Sequence, residues 1–201
     1  MAMEAYQNRR SPKDGPDDYP TPSWATRAML HHVLPHIDRG SVVWEPAANR
    51  GYMVRPLRER IEAVYASDYA DYGQGYPVVD FLDGPTPQGG VDWIITNPPF
   101  NRAEAFAQRA LSIARVGVAF FVRSAWAEGK GRYETLFSVN PPSIIAQHVE
   151  RVALVKGRAD KGAVSAMPYS WFVWERDTPQ TLFKWIPPCR KEFDREEDWQ
   201  W

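Results

Sequence analysis

The chain has 201 residues, of which 44% are hydrophobic and 24% charged, and its formal net charge is −1. This length suits one domain with a full hydrophobic core. The nearly neutral charge excludes a global field that would draw the protein onto a polyanion, so nucleic-acid binding would need a local basic patch. No apolar run approaches the roughly 20 residues that a membrane-spanning helix requires.

Cysteine content and the N-terminus narrow the class of protein further. Cys189 is the only cysteine, which excludes an internal disulfide and a cysteine-based metal cluster. The N-terminus has no apolar core like that of a secretory signal. We therefore expect a cytoplasmic protein without a membrane or metal partner. Residues 1–18 are polar and aperiodic, which predicts a mobile tail.

Strands and helices alternate along the first two thirds of the chain. The predicted segments are, in order, a helix capped by Ser23 ("WATRAMLHHVLPHI"), a strand ("SVVWEP"), a turn and helix ("AANRGYMVRPLRERI"), three strands ("AVYASDY", "YPVVDFL", "VDWIITNPP"), a helix ("NRAEAFAQRALSIAR") and a buried strand ("VGVAFFV"). This alternation predicts a doubly wound α/β sheet, mostly parallel, with ligands at the carboxyl ends of its strands.

The last third of the chain has a different pattern. "ERVALVK" and "YSWFVWER" resemble strands, and the loop "GRADKGAVSAMP" joins them without a helix. We therefore predict an antiparallel C-terminal hairpin at one edge of the sheet. The domain is expected to span residues 19–188, and residues 189–201 are predicted to form an acidic C-terminal tail.

The turn after the first predicted strand, "EPAANRGYM", is the first candidate ligand site. Small Ala47, Ala48 and Gly51 allow the backbone to approach a ligand, and the amides of the following helix face the same place. The turn matches neither the dinucleotide fingerprint G-x-G-x-x-G nor a phosphate loop, so dehydrogenase and NTPase functions lose support. A tight strand-to-helix turn without a ligand is the alternative interpretation.

Three acidic residues follow at the ends of consecutive predicted strands. These residues are Glu45, Asp68 and Asp80, and the carboxyl ends of such strands line one crevice in a doubly wound sheet. Asp68 lies about 20 residues after the turn, where an acid typically accepts hydrogen bonds from ribose hydroxyls. Each acid alone is typical of a solvated turn, but together they indicate a ligand site.

The stretch "WIITNPPF" ends the fourth predicted strand at that same edge. Its two prolines fix φ and remove two N–H groups, which leaves carbonyl acceptors beside the side-chain carbonyl of Asn97. These acceptors lie next to the ring of Phe100, an arrangement that suits a planar group bearing an amine. A strand terminator with a core Phe is the alternative, and the position after three acid-ended strands favours a site.

These motifs, in this order, resemble a class I S-adenosylmethionine-dependent methyltransferase of the DNA adenine-N6 kind, whose signature is [DNS]-P-P-[YFW]. "DYPTP" resembles the segment that packs on the methionine part of the cofactor. "EPAANRGYM" resembles the cofactor loop, "SDY" the ribose acid and "DFL" the adenine-binding segment. The resemblance spans Tyr19 to about Glu175 and extends loosely to short phage or prophage-encoded enzymes.

The resemblance implies S-adenosylmethionine as cofactor and DNA with a flipped adenine as partner. It assigns the transfer step to Asn97, Pro98, Pro99 and Phe100. Cofactor contacts are implied for Tyr19, Thr21, Pro22, Glu45, Pro46, Ala47, Gly51, Asp68, Asp80, Phe81 and Asn97. Phe100 would stack on the base, and phosphate contacts would fall to Arg123, Lys130, Arg132, Lys156, Arg158 and Lys161.

One residue departs from the family pattern, and three other functions stay open. Asn49 stands where the cofactor loop usually has glycine, although Asn tolerates positive φ better than most residues. The same pocket would also suit three other functions. These are a protein-glutamine methyltransferase, an RNA-base methyltransferase and a non-catalytic cofactor-binding protein. The basic stretch "FVRSAWAEGKGR" favours a polyanionic substrate, and residues 157–168 are the expected recognition loop.

Overall fold

The computed structural model of the chain describes residues 17–178 and 180–200. Most of the predicted N-terminal tail therefore lies outside the described residues. The helices and strands are, in order, α1 (Ser23–His32), β1 (Val42–Glu45), α2 (Val54–Arg60), β2 (Ala63–Ala66), β3 (Val91–Thr96), α3 (Ala103–Ile113), β4 (Ala114–Arg123), α4 (Lys130–Arg132), β5 (Ile144–His148), β6 (Tyr169–Glu175), β7 (Leu182–Ile186) and α5 (Arg190–Phe193). A 3-10 turn at Ser124–Ala127 follows β4.

The strands form one sheet in the order β2-β1-β3-β4-β6-β5-β7. β1 pairs in parallel with β2 and β3, β3 with β4, and β5 with β7, whereas β6 is antiparallel to both β4 and β5. The predicted α/β class and the mostly parallel sheet are confirmed. The carboxyl ends of β1, β2 and β3 consequently meet at one edge, as expected for a doubly wound fold.

The antiparallel strand is present, but its place and its partner differ from the prediction. β6 lies between β4 and β5 rather than at an edge, and residues 150–156 form no strand. Val152 and Leu154 are buried individually in the core, so the apolar pattern that resembled a strand reflects packing. β6 is buried along almost its whole length, as an interior strand should be. β7 forms this edge of the sheet.

The predicted strand "YPVVDFL" is also absent. The segment makes a single bridge between Asp68 and Val78, and the side chain of Val78 is exposed. Pro77 supplies no N–H for a longer ladder. Asp80 therefore lies in a loop rather than at a strand end, although the loop carries it to the same edge of the sheet.

Hydrophobic side chains cover both faces of the sheet, which explains the continuous apolar run in β4. Phe121 packs in the cluster that includes α1, and Phe120 packs in the cluster that includes α3. Glycine is required at position 117 of β4, because a Cβ there would lie 2.4 Å from the ring of Trp93. A strand covered on both faces has no polar side to alternate with.

The predicted acidic tail is folded over most of its length. α5 and a 3-10 turn at Glu196–Trp199 pack beside α1, and buried Arg27 pairs with Glu59 at 2.7 Å and Asp198 at 2.5 Å. A buried ion pair is costly to break from one side. This segment is therefore part of the packed domain. Within residues 17–178 and 180–200, every helix is too short or too polar to cross a bilayer.

Candidate active site

A cleft of about 560 Å³, the main cleft, opens at the carboxyl ends of β1, β2 and β3. Most of the predicted cofactor residues line it. They come from five separate segments and are Tyr19, Thr21, Pro46, Ala47, Asp68, Asp80, Phe81 and Asn97. Pro99 lines it as well. The fold therefore brings together the residues that the sequence motifs single out.

Three predicted cofactor residues, Pro22, Glu45 and Gly51, are not part of the cleft wall. Pro22 precedes the first turn of α1. Gly51 has φ 82°, and a Cβ there would lie 2.5 Å from the hydroxyl of Tyr76. Gly51 therefore shapes the loop, because a side chain would be strained and would also collide.

Glu45 lies beneath the loop, fully buried at the end of β1. Its Oε1 accepts hydrogen bonds from the backbone N–H of Ala47 at 3.0 Å and from the hydroxyl of Thr96 at 2.5 Å. Burial raises the pKa of the Glu45 carboxyl to about 8. Glu45 thus fixes the start of the loop relative to β3, and its other oxygen, Oε2, has no hydrogen-bond partner among the described residues.

Asn49 adopts φ 50°, so the turn survives the loss of the usual glycine. Its backbone N–H donates to Asp68 Oδ2 at 2.8 Å, and its side-chain Nδ2 donates to Asp18 Oδ1 at 2.7 Å. Arg50 pairs with Asp18 at 2.9 Å, and Gly157 N–H donates to the Asp18 carbonyl at 2.9 Å. Asp18 therefore joins the loop of residues 46–52 to the loop after β5, a role that the sequence did not indicate.

Asp68 and Asp80 differ in their surroundings. Burial raises the pKa of Asp68, whose two oxygens accept backbone N–H groups from Asn49 and Ala70. Asp80 accepts the N–H of Leu82 at 2.9 Å and lies 3.6 Å from a guanidinium nitrogen of Arg102. Each carboxylate keeps lone pairs for hydroxyl donors in the main cleft.

The turn from Asn97 to Phe100 presents two acceptors. Asn97 Nδ2 donates to the Tyr19 carbonyl at 3.0 Å, while the buried Asn97 Oδ1 receives no hydrogen bond from any described residue. The Pro99 carbonyl accepts from Arg102 N–H at 2.9 Å, and no described residue donates to the Pro98 carbonyl. Asn97 Oδ1 and the Pro98 carbonyl are therefore the unpaired acceptors of the turn, and Pro98 itself is buried and lines neither cavity.

Phe100 is half-buried, and part of its ring is already covered. Its backbone N–H donates to Asp17 Oδ2 at 2.7 Å, and the Arg123 guanidinium lies 4.9 Å from the ring centre. Tyr19 packs against the ring at 5.6 Å between centroids. The free aromatic face expected from the sequence is thus occupied by Arg123. Asp17, which also lines the main cleft, was not among the predicted site residues.

A second cavity of about 240 Å³, the small pocket, lies on the Phe100 side of this turn. Its wall consists of Phe100, Trp126, Arg123, Arg132 and three apolar residues. The Arg132 guanidinium lies 4.9 Å from the centre of the Trp126 ring. Two of the six predicted phosphate contacts therefore meet beside Phe100, and Trp126 joins them without having been predicted.

The other four predicted phosphate contacts do not line either cavity. Lys130 lies 3.8 Å from Glu134, Arg158 pairs with Asp160 at 3.0 Å, and Lys161 pairs with Glu196. Lys156 is exposed. Within residues 17–178 and 180–200, no three His, Cys, Asp or Glu side chains are grouped to hold a metal ion.

Comparison with known proteins gave structural likeness alone, since no family model and no curated protein matched the sequence. The structure resembles a type I restriction-modification system methyltransferase subunit from Streptococcus thermophilus, with a TM-score of 0.61, 13% identity and coverage of 90% of this chain and 50% of that one. The chain thus spans about half the length of that subunit.

The names of two further similar structures state a substrate, and the two substrates differ. Magnesium protoporphyrin IX methyltransferase from Synechocystis, solved with bound S-adenosylmethionine, matches with a TM-score of 0.50, 12% identity and coverage of 75% of this chain and 77% of that one. The 23S rRNA methyltransferase ErmE matches with a TM-score of 0.51, 16% identity and coverage of 77% and 69%. One fold therefore serves several substrates. The chain has the Rossmann-like fold of class I S-adenosylmethionine-dependent methyltransferases.

Proposed function

We propose that the protein is an S-adenosylmethionine-dependent methyltransferase that methylates the N6 amine of adenine in DNA. The observation that carries the proposal is the buried Asn97 Oδ1, which has no hydrogen-bond donor among the described residues. A buried acceptor without a partner is costly to the fold. Its position at the wall of the main cleft supports an incoming N–H donor as the missing partner.

The main cleft fits the proposed cofactor in size and in chemistry. A volume of about 560 Å³ lies within the usual range for small-molecule sites. Asp68 and Asp80 offer carboxylates to ribose hydroxyls, Phe81 offers an apolar contact to the adenine ring, and Ala47 leaves room for close approach of the backbone. When bound, S-adenosylmethionine supplies an electrophilic methyl group attached to a positively charged sulfur.

The two acceptors at the turn match the two hydrogens of an exocyclic amine. The lone pair of that amine is delocalised into the adenine ring, which makes the nitrogen a poor nucleophile. Hydrogen bonds from its N–H groups to Asn97 Oδ1 and the Pro98 carbonyl favour a tetrahedral nitrogen with an available lone pair. The fixed φ of the prolines holds these acceptors in place, so the chain acts by positioning and electrostatics.

The amine nitrogen carries a positive charge once it has gained the methyl group, and one of its protons must then leave. The amide of Asn97 is not a base, so this proton passes to water after the transfer. An adenine inside a duplex cannot reach the turn, and the proposal therefore requires a flipped base that contacts Phe100.

A polyanionic substrate is supported by the cations beside Phe100. Neither Arg123 nor Arg132 has a carboxylate within 4.0 Å among the described residues. A protein loop carrying a glutamine amide would offer these arginines neither a phosphate nor a ring to replace the guanidinium on Phe100. A nucleic acid offers both.

The test is a label-transfer assay across three substrate classes. The protein is incubated with cofactor that carries a tritiated methyl group and with unmethylated genomic DNA, total RNA or a denatured protein extract. Digestion of the DNA to nucleosides is expected to yield labelled N6-methyldeoxyadenosine. Label in RNA or in protein alone would disprove the DNA assignment, and cofactor binding without transfer to any class would disprove the enzyme assignment.

A further inference from the structure

Among the described residues, those that line the small pocket carry buried hydrogen-bond donors and no side-chain acceptor. Buried donors without a partner among the described residues are Arg123 Nε, Arg132 Nε and Trp126 Nε1, and all three residues line this one cavity. The remaining wall is the ring of Phe100 and three apolar side chains. A ligand that satisfies the pocket must therefore bring acceptors, and the two guanidinium charges favour an anion.

Burial makes these donors significant. Trp126 is 8% exposed, so its indole N–H has little access to water. Arg132 uses one terminal nitrogen to hold the carbonyls of Trp126 and Glu128, which fixes the guanidinium against the Trp126 ring. Arg123, in contrast, forms no hydrogen bond through its side chain within the described chain and only covers the ring of Phe100. One arginine is anchored, and the other is held by a single weak contact.

The ring of Phe100 and a backbone phosphate would stabilise the Arg123 guanidinium by different free energies. A cation–π contact contributes about 0.5–1 kcal/mol at exposed sites and about 2 kcal/mol when desolvated. A hydrogen bond to a charged group contributes about 1.5–3 kcal/mol, and bidentate guanidinium–phosphate pairs are among the stronger ones. A phosphate that accepts two hydrogen bonds from Arg123 would therefore outweigh the ring contact, draw the guanidinium from Phe100 and expose the aromatic ring.

From this geometry we infer that the small pocket is a phosphodiester subsite, and that Arg123 exchanges the ring of Phe100 for a backbone phosphate when a base takes its place on that ring. The exchange makes Arg123 a specificity-determining residue, because only a nucleotide supplies the replacing ring and the receiving phosphate together. The inference rests on the proposed function in taking a nucleic acid as substrate.

The experiment measures binding of a random-sequence single-stranded oligodeoxynucleotide by fluorescence anisotropy. The salt concentration is varied from about 50 to about 300 mM, because the affinity that phosphate contacts contribute falls over such a range. Arg123→Ala is expected to weaken binding about tenfold at the lowest salt, and to reduce the slope of log affinity against log salt by about 0.7, the value for one lost contact to a single strand. Arg123→Lys is expected to restore most of the slope, because it restores the charge.

Arg115→Ala is the matched control. Arg115 lies near the other end of the same strand, β4, and pairs with Asp92 at 3.0 Å. Its removal changes the net charge equally and is expected to leave both affinity and slope unchanged. Arg123→Met keeps the length of the side chain without its charge, and it tests the same point if Arg123→Ala proves unstable.

A second probe separates phosphate recognition from base recognition. On an oligonucleotide whose backbone carries uncharged methylphosphonates, the wild-type protein and Arg123→Ala are expected to bind equally. A wild-type slope in Arg123→Ala, or an undiminished preference of Arg123→Ala for the charged backbone, would overturn the inference. Methyl transfer to DNA in that case would leave the proposed function standing, whereas transfer to protein alone would remove the proposed function itself.

Discussion

The main cleft and the small pocket meet at the Asn97–Phe100 turn and have opposite chemistry. Acidic side chains from three segments line the main cleft, namely Asp17, Asp68 and Asp80. Two arginines and a tryptophan line the small pocket, whose wall has no side-chain acceptor in the part of the chain that the structure describes. The same turn contributes Asn97 to one cavity and Phe100 to the other. The difference teaches that carboxylates, together with Arg102, line the cleft side of the turn, whereas the described residues on the pocket side carry only donors and apolar groups.

Sorting of this kind suits two ligands of opposite charge that must meet. The cleft with carboxylates favours a ligand that brings hydroxyls and positive charge, and the pocket with guanidinium groups favours one that brings negative charge. The four residues from Asn97 to Phe100 are the place where both ligands would come into contact. Substitutions on each side of the turn should therefore have separable effects.

The largest effect is expected at the turn itself. Asn97→Ala removes the buried acceptor and should lower kcat for methyl transfer at least about 100-fold, by analogy with the loss of one group that stabilises a transition state. Cofactor binding, measured by calorimetric titration, should stay within a few-fold of wild type. Unchanged turnover would remove Asn97 from the reaction.

Asp68→Asn tests the acidic side of the comparison. Because hydrogen bonds to a charged acceptor contribute about 1.5–3 kcal/mol, cofactor affinity should fall about 10- to 100-fold by calorimetry. Affinity for oligonucleotide should be unchanged. Asp38→Asn makes the same chemical change at an exposed position away from the cleft and should alter neither affinity. A parallel loss of oligonucleotide binding would contradict the separation of the two sides.

The buried carboxyl of Glu45 should give the fold a characteristic pH dependence. Its pKa of about 8 lies above its ordinary value of 4.5, so the folded state retains a proton that the unfolded state loses. Stability from this group is complete below pH 4.5 and falls as the pH rises towards 8. The loss is about 1.4 kcal/mol per pH unit within that window.

Glu45→Gln isolates this contribution, because the amide does not titrate. Between pH 6 and 7, the free energy of unfolding of wild type should fall more steeply than that of Glu45→Gln, by about 1.4 kcal/mol. Urea unfolding at the two pH values measures the difference. Parallel curves would mean that the Glu45 carboxyl has an ordinary pKa.

The smallest effect is expected at Asp18, which contacts the loop of residues 46–52 without lining the main cleft. Asp18→Ala removes a partly buried ion pair with Arg50 and a hydrogen bond from Asn49, and surface ion pairs contribute about 0.2–1 kcal/mol. Cofactor dissociation, followed by stopped flow, should become about threefold faster. Glu62→Ala, which removes the exposed pair with Arg39, should leave dissociation unchanged. Equal effects of the two variants would deny Asp18 a role at the site.

The sequence predicted the turn and its acidic companions because these residues belong to short motifs at the ends of elements. Glu45 is the last residue of β1 and Asn97 follows β3, and the parallel sheet brings such ends to one edge. The position of Glu45 differs from the expectation, since the residue is completely buried and does not line the cleft. Burial of a single side chain depends on packing that no motif encodes.

Contacts between distant segments account for most of what the sequence did not indicate. Asp17 meets Phe100 across 83 positions, and it belongs to an aperiodic stretch that has no pattern to read. The interior place of β6 depends on pairing with β4 and β5, whose order is a property of the whole sheet. The unsatisfied N–H of Trp126 becomes visible only when the fold places this residue beside Arg123 and Arg132.

The conformation of the loop around Asn49 depends on contacts with a second part of the chain, the segment around Asp18. Asn49 holds positive φ while its side chain is bound to Asp18, 31 positions earlier. A transplant of residues 45–53 into another protein of this fold would leave Arg50 and the Asn49 amide without that carboxylate. Anyone who wishes to move this loop between proteins must carry the segment around Asp18 with it, or restore the glycine.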